Sequence, residues 1–316
     1  MVHTENRFTR RQCLQLLAGV AATALAPGAG HGEAGRTLLR LAVSTDTLAG
    51  VNIDDARASY IALINEYYLG HAKTVSAEVV AGVFIPSAEL QRDIRQGTVD
   101  CFGVTAIEYA QLADIADPQY LVLQDYLADG IEYLLLVHDS STFRKIADLQ
   151  GAQILIHRHR DMVLAPAWLS TLLATDRLPQ PEGFFASISP RDNVTQTVLP
   201  VFFRRADGAC VTRPSWETAV ELNPQLGREL RPLAVSPKVI PTAIGFRRNC
   251  NPTGRKLLLD SMLDMTTTAA GRQMAALYQA RSFVQRPASV MAGSVEMVRQ
   301  CERLTKQQTG SRKGHS

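Results

Sequence analysis

From Leu38 onward the chain alternates short apolar runs with amphipathic stretches, the rhythm of an α/β protein. Leu38–Val43 predicts a first strand, closed by the polar turn Ser44-Thr45-Asp46-Thr47. Ala56, Tyr60, Leu63, Ile64 and Tyr67 then recur at helical spacing, and Val75–Phe84 predicts a second strand. Ser87 is placed to cap a helix, Cys101–Val104 reads as a short buried strand, and Thr105 caps a helix over Ala106–Leu112. Further strands are expected at Tyr120–Leu123, Tyr133–His138, Ala152–Ile156 and Ala206–Val211. Helices are expected at Ala165–Thr175, with Pro166 tolerated in the first turn, and at Asn193–Phe203, Thr253–Thr268 and Ala269–Gln279. The chain between Leu230 and Phe246 reads as extended, and the polar, glycine-bearing stretch 306–316 as a disordered tail.

The N-terminus departs from this rhythm. Thr9-Arg10-Arg11-Gln12-Cys13-Leu14 resembles a twin-arginine leader, followed by the charge-free apolar run Leu14–Leu25. That run is shorter than the ~20 residues a bilayer-spanning helix needs, and small residues follow it, as a signal-peptidase site requires. Residues 1–34 are therefore expected to be a signal peptide and the mature chain to be periplasmic. The remainder, about 280 residues, exceeds what one core usually serves, so two lobes are expected. Lys and Arg exceed Asp and Glu by 33 − 30 = +3, and the leader carries three Arg against two Glu, which leaves about +2. That balance gives no nucleic-acid footprint and no general attraction to membranes. Of five cysteines, Cys13 leaves with the leader, and Cys101, Cys210, Cys250 and Cys301 form no C-x-x-C pair, which argues against zinc or thiol-redox chemistry. No cofactor or metal set is identifiable, and there is no G-x-S-x-G, H-E-x-x-H or phosphate-binding glycine loop.

Two segments share one shape: Arg95-Gln-Gly-Thr-Val-Asp100-Cys-Phe-Gly-Val-Thr-Ala-Ile-Glu-Tyr109 and Arg204-Arg-Ala-Asp207-Gly-Ala-Cys-Val-Thr-Arg-Pro-Ser-Trp216. Each gives a helix end, an Asp turn, a short buried strand and a polar cap opening another helix. With Ile146-Ala-Asp-Leu-Gln-Gly-Ala-Gln-Ile-Leu155, the ordered set resembles the phosphate/phosphite/phosphonate-binding branch of ABC-transporter receptors. The resemblance implies the two-lobe type II periplasmic binding fold. Lobe one would comprise residues 35–128 and 234–305 and lobe two residues 129–233, with crossing hinge segments near Tyr126–Tyr133 and Ala234–Thr242. It further implies a monomer that takes a small anionic ligand in the cleft and presents it to an ABC permease. Three alternatives stay open: a sensing subunit for a membrane histidine kinase, a receptor for a carboxylate or sulfonate, and a pyrimidine-precursor synthase on the same fold.

Cleft contacts are expected from loops and helix N-termini at the carboxyl ends of strands. Thr105 matches a family cleft position, while Ser44 and Thr45 follow the first strand and Ser140 and Ser141 follow the crossover strand. Each hydroxyl has the competing role of plain capping. The family's Ser/Thr/Gly run after the strand ending at Ile156 is replaced by His157-Arg158-His159-Arg160-Asp161. His157 and His159 are expected on one side of this segment, and Arg158 and Arg160 on the other. The replacement reads either as a more cationic cleft, because arginine's fork suits an oxyanion, or as a solvated loop with Asp161 and nearby acids as partners. Arg191 and Arg213 are further candidate ligands, with Trp216 packing beneath Arg213.

Overall fold

The computed structural model describes residues 37–49, 52–60, 62 and 77–313. The leader, the end of the first predicted helix and the start of the second predicted strand lie outside the described residues.

The chain opens with β1 (Thr37–Ser44), a 3-10 turn at Thr45–Leu48 and a helical stretch over 53–60 that Asn52 caps. Next come β2 (Ala77–Ile85), α1 (Ser87–Gln96), β3 (Cys101–Thr105), α2 (Ala106–Leu112) and β4 (Ala116–Gln124). The middle of the chain holds β5 (Tyr133–His138), β6 (Gln153–His157), α3 (Ala165–Thr175), β7 (Ser187–Arg191), α4 (Val194–Phe202), β8 (Gly208–Thr212), α5 (Arg213–Leu222) and β9 (Leu230–Val235). It closes with β10 (Thr242–Arg247), α6 (Pro252–Leu263), α7 (Ala269–Leu277), β11 (Phe283–Arg286) and α8 (Ala292–Lys313).

The strands form two sheets, ordered β11-β4-β10-β3-β1-β2 and β7-β6-β8-β5-β9. The first sheet draws on both ends of the described chain, the second on its middle, so the protein has two lobes. In the first, β1 runs parallel to β2 and β3, while β10 runs antiparallel, with Thr242 opposite Thr105. Ser44, Thr105, Gln124 and Thr242 therefore share one end of that sheet. In the second, β6, β7 and β8 are parallel, so His157, Arg191 and Thr212 share one end. Strand β5 runs antiparallel to β8, with Tyr133 opposite Thr212 and Val137 opposite Gly208.

Two chain segments join the lobes, pinned to each other by the antiparallel bridge Ile131–Val239, whose two backbone hydrogen bonds are both 2.8 Å. Gly130 precedes that bridge with φ +73°, in the left-handed region. A Cβ there would lie 3.1 Å from Lys238 Cβ, so the hinge requires glycine on two counts.

Helix α8 ties the lobes further, packing on α2 of one and α3 of the other. Met291, Val295 and Val298 lie in the same hydrophobic cluster as Leu112 and Trp168. The Ser294 hydroxyl accepts the Ile240 N–H at 2.7 Å, which fastens this helix to the second hinge segment. Residues 306–313, expected as a disordered tail, continue α8 as its polar end. Residues 314–316 of that expected tail lie outside the described residues. Pro86 rather than Ser87 stands at the N-cap of α1, with Ser87 as the first helical residue. No helix among the described residues is long and apolar enough to cross a membrane.

Candidate functional site

On lobe one, the two hydroxyls best placed for an anion are already engaged. Glu108, buried in the first turn of α2, accepts the Ser44 hydroxyl on Oε1 at 2.5 Å. Its Oε2 accepts the Thr105 N–H at 2.7 Å and the Thr105 hydroxyl at 2.8 Å. The Thr105 oxygen in turn caps the Glu108 N–H, completing a capping box. Asp46, in the next turn, has its carboxyl raised by burial and by the Glu108 charge. Thr45 is partly exposed in the same turn. This lip of the cleft is therefore acidic, and Ser44 and Thr105 serve a carboxylate of the protein's own. Thr105→Ala is expected to cost about 1–2 kcal/mol of stability through loss of the cap, measured by urea unfolding, with little change in ligand affinity. The opposite pattern would make Thr105 a ligand contact.

Lobe two presents the His157–Asp161 segment at the end of β6. The His157 and His159 rings lie on one side and stack, with centroids 5.3 Å apart and planes 19° apart. Burial, and then the neighbouring imidazole, holds His157 down to about 4; burial, and then the Arg160 charge, does the same to His159. Both rings are neutral at pH 7, so they add no positive charge to the cleft. The two arginines part company, because the chain turns into a 3-10 turn at Arg160–Met162. Arg158 points outward and pairs with exposed Asp192. Arg160 turns inward and is 1% exposed. The expected cluster of cationic groups thus reduces to one buried guanidinium.

Arg160 reaches across to lobe one. Its N–H donates to the Ala49 carbonyl at 3.2 Å, one terminal nitrogen donates to the Tyr278 carbonyl at 2.5 Å, and the guanidinium lies 5.3 Å from the Tyr278 ring centre. Asp161 Oδ1 stands 3.7 Å from Nε, too long for a hydrogen bond. Nε is buried without a hydrogen-bond partner. Burial raises the Asp161 carboxyl, which accepts the Tyr126 hydroxyl at 3.0 and 3.2 Å and so forms a second cross-lobe link.

Arg160 borders two spaces. One is a groove of about 450 Å³ between the lobes, edged by Asn52 and Gln279 of lobe one and by His157, His159, Asn193 and Ser215 of lobe two. Asn193 caps α4 and Thr212 caps α5, so both helix N-termini stand beside this groove. The other is an apolar chamber of about 90 Å³ inside lobe one, between the first sheet and helices α6 and α7.

The remaining candidates lie elsewhere. Because β5 runs antiparallel to β8, Ser140 and Ser141 sit at the far end of the second sheet, away from His157 and Thr212. There the Ser140 hydroxyl is 2.9 Å from His138 Nδ1. Only a β5 parallel to β8 would carry its following residues to the cleft end of the sheet. Arg191 ends β7 beside His157, yet its side chain bonds the Pro190 carbonyl and borders a separate groove with Phe203 and Arg205. Arg213 is engaged by Glu132 of the hinge segment through its side chain, and its N–H donates to the Glu132 carbonyl at 2.8 Å. Trp216, on α5 itself, packs into the lobe-two core. Sequence reasoning missed Thr242, Tyr278 and Glu108. The Thr105-x-x-Glu108 capping signature was the available signal for the last. Among the described residues, no group of three or more His, Cys, Asp and Glu side chains is placed to hold a metal ion.

Two α/β lobes joined by paired hinge segments, with a cleft at the strand ends, define a periplasmic-binding-protein fold. Solved structures agree. The protein XAC2383 of Xanthomonas citri, bound to chloride, superposes with a TM-score of 0.57 at 15% identity, over 85% of this chain and 99% of that one. PhnD1 of Prochlorococcus marinus, in complex with methylphosphonate, gives a TM-score of 0.54 at 12% identity over 85% and 99%. A comparison with curated protein sequences finds no match. The profile of the ABC-transporter phosphonate periplasmic substrate-binding proteins matches residues 68–289, and the chain belongs to that family.

Proposed function

We propose that this chain is the exported receptor of an ABC transporter, and that it captures a small phosphonate-like oxyanion between its lobes with Arg160 as the anion-holding group. The observation that carries this reading is the Arg160 guanidinium: buried, delivered by one lobe into the other, and left with an unpartnered Nε–H. A buried charge is costly unless fully paired. An oxyanion in the groove completes the pairing, and the N-termini of α4 and α5 add favourable partial charge. Family membership supports the ligand class, and the twin-arginine-like leader supports delivery to the periplasm. Ligand contacts supplied by both lobes make closure the signal that a permease reads.

The test is a thermal-shift screen of the mature chain against methylphosphonate, phosphite, phosphate, methanesulfonate, succinate and neutral amino acids. Ligand at about 100 times Kd stabilises by ~2.7 kcal/mol, a shift of several degrees. A shift with phosphorus oxyanions is expected. A shift confined to uncharged or zwitterionic solutes would overturn the reading.

A further inference from the structure

Two cysteines that no sequence spacing connects come together in lobe one. Cys101 opens β3, and its side chain packs with those of Leu41 and Phe246, its neighbours across the sheet in β1 and β10. Strand β10 ends one residue past Phe246, at Arg247, whose N–H donates to the Asp100 carbonyl at 2.8 Å. There the chain reverses. The Cys250 N–H donates to the Arg247 carbonyl at 3.0 Å, closing a β-turn, a geometry that holds its first and last Cα atoms within about 7 Å. The turn leads onto the face that carries Cys101, and α6 then covers that face with Leu258, Leu259 and Met262. Cys101 and Cys250 are thus buried in one cluster, one ladder rung and one turn apart. Their titration reflects the same closeness. Burial, and then the Cys250 charge, pushes the Cys101 thiol well up. Burial raises the Cys250 thiol as well, against the Arg255 charge, and Asp100 beside Cys101 adds to the rise. Cys210 on β8 and Cys301 on α8 pack in a different cluster.

In a reducing compartment two such thiols serve as small core residues. An exported chain meets oxidising conditions instead. Resting on the reading of this chain as an exported receptor, we propose that Cys101 and Cys250 join as a disulfide after export, stapling the turn before α6 to β3. Such a bond needs closeness in space and not the C-x-x-C spacing of a thiol-redox motif. The oxidant is a disulfide donor. Cys250 reacts first: it is 5% exposed against 0% for Cys101, and the Arg255 and Arg247 charges favour its thiolate. That thiolate attacks one sulfur of the donor, forming a mixed disulfide and releasing the other sulfur as a thiolate that takes up a proton. The Cys101 thiol gives up its proton and attacks the Cys250 sulfur, expelling the second donor thiolate. The protein loses two protons and two electrons, and the donor is reduced to two thiols. Because the second step is intramolecular, buried Cys101 never has to meet the oxidant. The bond closes a loop of about 150 residues, which restricts the unfolded chain strongly.

The mature chain is incubated with oxidised glutathione or with dithiothreitol, alkylated in urea and mapped by peptide mass spectrometry. In the oxidised sample, a peptide holding Cys101 is expected to be linked to one holding Cys250, two hydrogens lighter than the reduced pair, with Cys210 alkylated. The oxidised chain is expected to melt roughly 5–10 °C above the reduced one. The double variant Cys101→Ala, Cys250→Ala is expected to melt at one temperature under both conditions. Alkylated Cys101 and Cys250 in the oxidised sample, or glutathione retained on Cys250 without transfer to Cys101, would overturn the inference. Neither cysteine borders the interlobe groove, so methylphosphonate added to the same samples tests the receptor reading separately. Should the double variant fail to fold, the peptide map of the unaltered chain decides alone.

Discussion

Arg160→Leu is expected to weaken oxyanion binding at least about 30-fold while the chain still folds. Removing one partner of a buried charge pair costs about 2–5 kcal/mol, and 1.4 kcal/mol is a factor of ten. Leucine removes one member of the buried Arg160–Asp161 pair and is expected to cost the fold up to about 3–5 kcal/mol, with two features of Asp161 reducing that cost. Asp161 then keeps the Tyr126 hydroxyl, and its carboxyl is already raised by burial, so it has a neutral form available. Arg160→Lys restores the charge but neither the Nε–H nor the planar fork over Tyr278, and is expected to recover only part of the affinity. Unchanged binding in Arg160→Leu would place the anion on other groups, and the account of the cleft would fall with it.

Acid is expected to destabilise the protein well before ordinary carboxylates titrate. His157 and His159 are held down to about 4 in the folded chain, against an unfolded value near 6.5. Between these values the unfolded chain binds protons that the folded chain refuses. Stability is therefore fully present above pH 6.5 and is lost as the pH falls toward 4. With His157 7% exposed and the His159 side chain 15%, the two together are expected to cost about 2–4 kcal/mol between pH 7 and pH 5. Asp161 acts with the opposite sign. Its raised folded value returns some stability as the pH nears the carboxylate range, so the steepest loss lies between pH 6.5 and 5. Urea unfolding at pH 7, 6 and 5 checks this, and the double variant His157→Gln, His159→Gln should flatten the profile. A flat profile in the unaltered chain would mean that the stacked rings are hydrated rather than buried.

Most of the fold was legible because strands and helices with a buried face carry a period. Ala106–Leu112, Tyr133–His138 and Ala165–Thr175 were read to the residue. What escaped lacked that signal. Strand β7, Ser187–Arg191, has one isoleucine and an internal proline, which an edge strand tolerates. Strand β11 is four residues long. Helix α8 carried only a faint period in Val295 and Val298, set among small and polar residues. The site was less legible than the fold. Residue types at strand ends nominate hydroxyls and arginines, but strand direction removed Ser140 and Ser141, and local pairing engaged Thr105, Arg158 and Arg213. One turn separates exposed Arg158 from buried Arg160, a distinction set by tertiary packing and absent from the local sequence.

Calorimetric titration of the mature chain with methylphosphonate, in parallel with Arg160→Leu, tests the central claim most directly. The account predicts one site per chain in the unaltered protein and little or no heat in the variant. Equal binding by both proteins, or binding of an uncharged solute with none of the oxyanion, would contradict it.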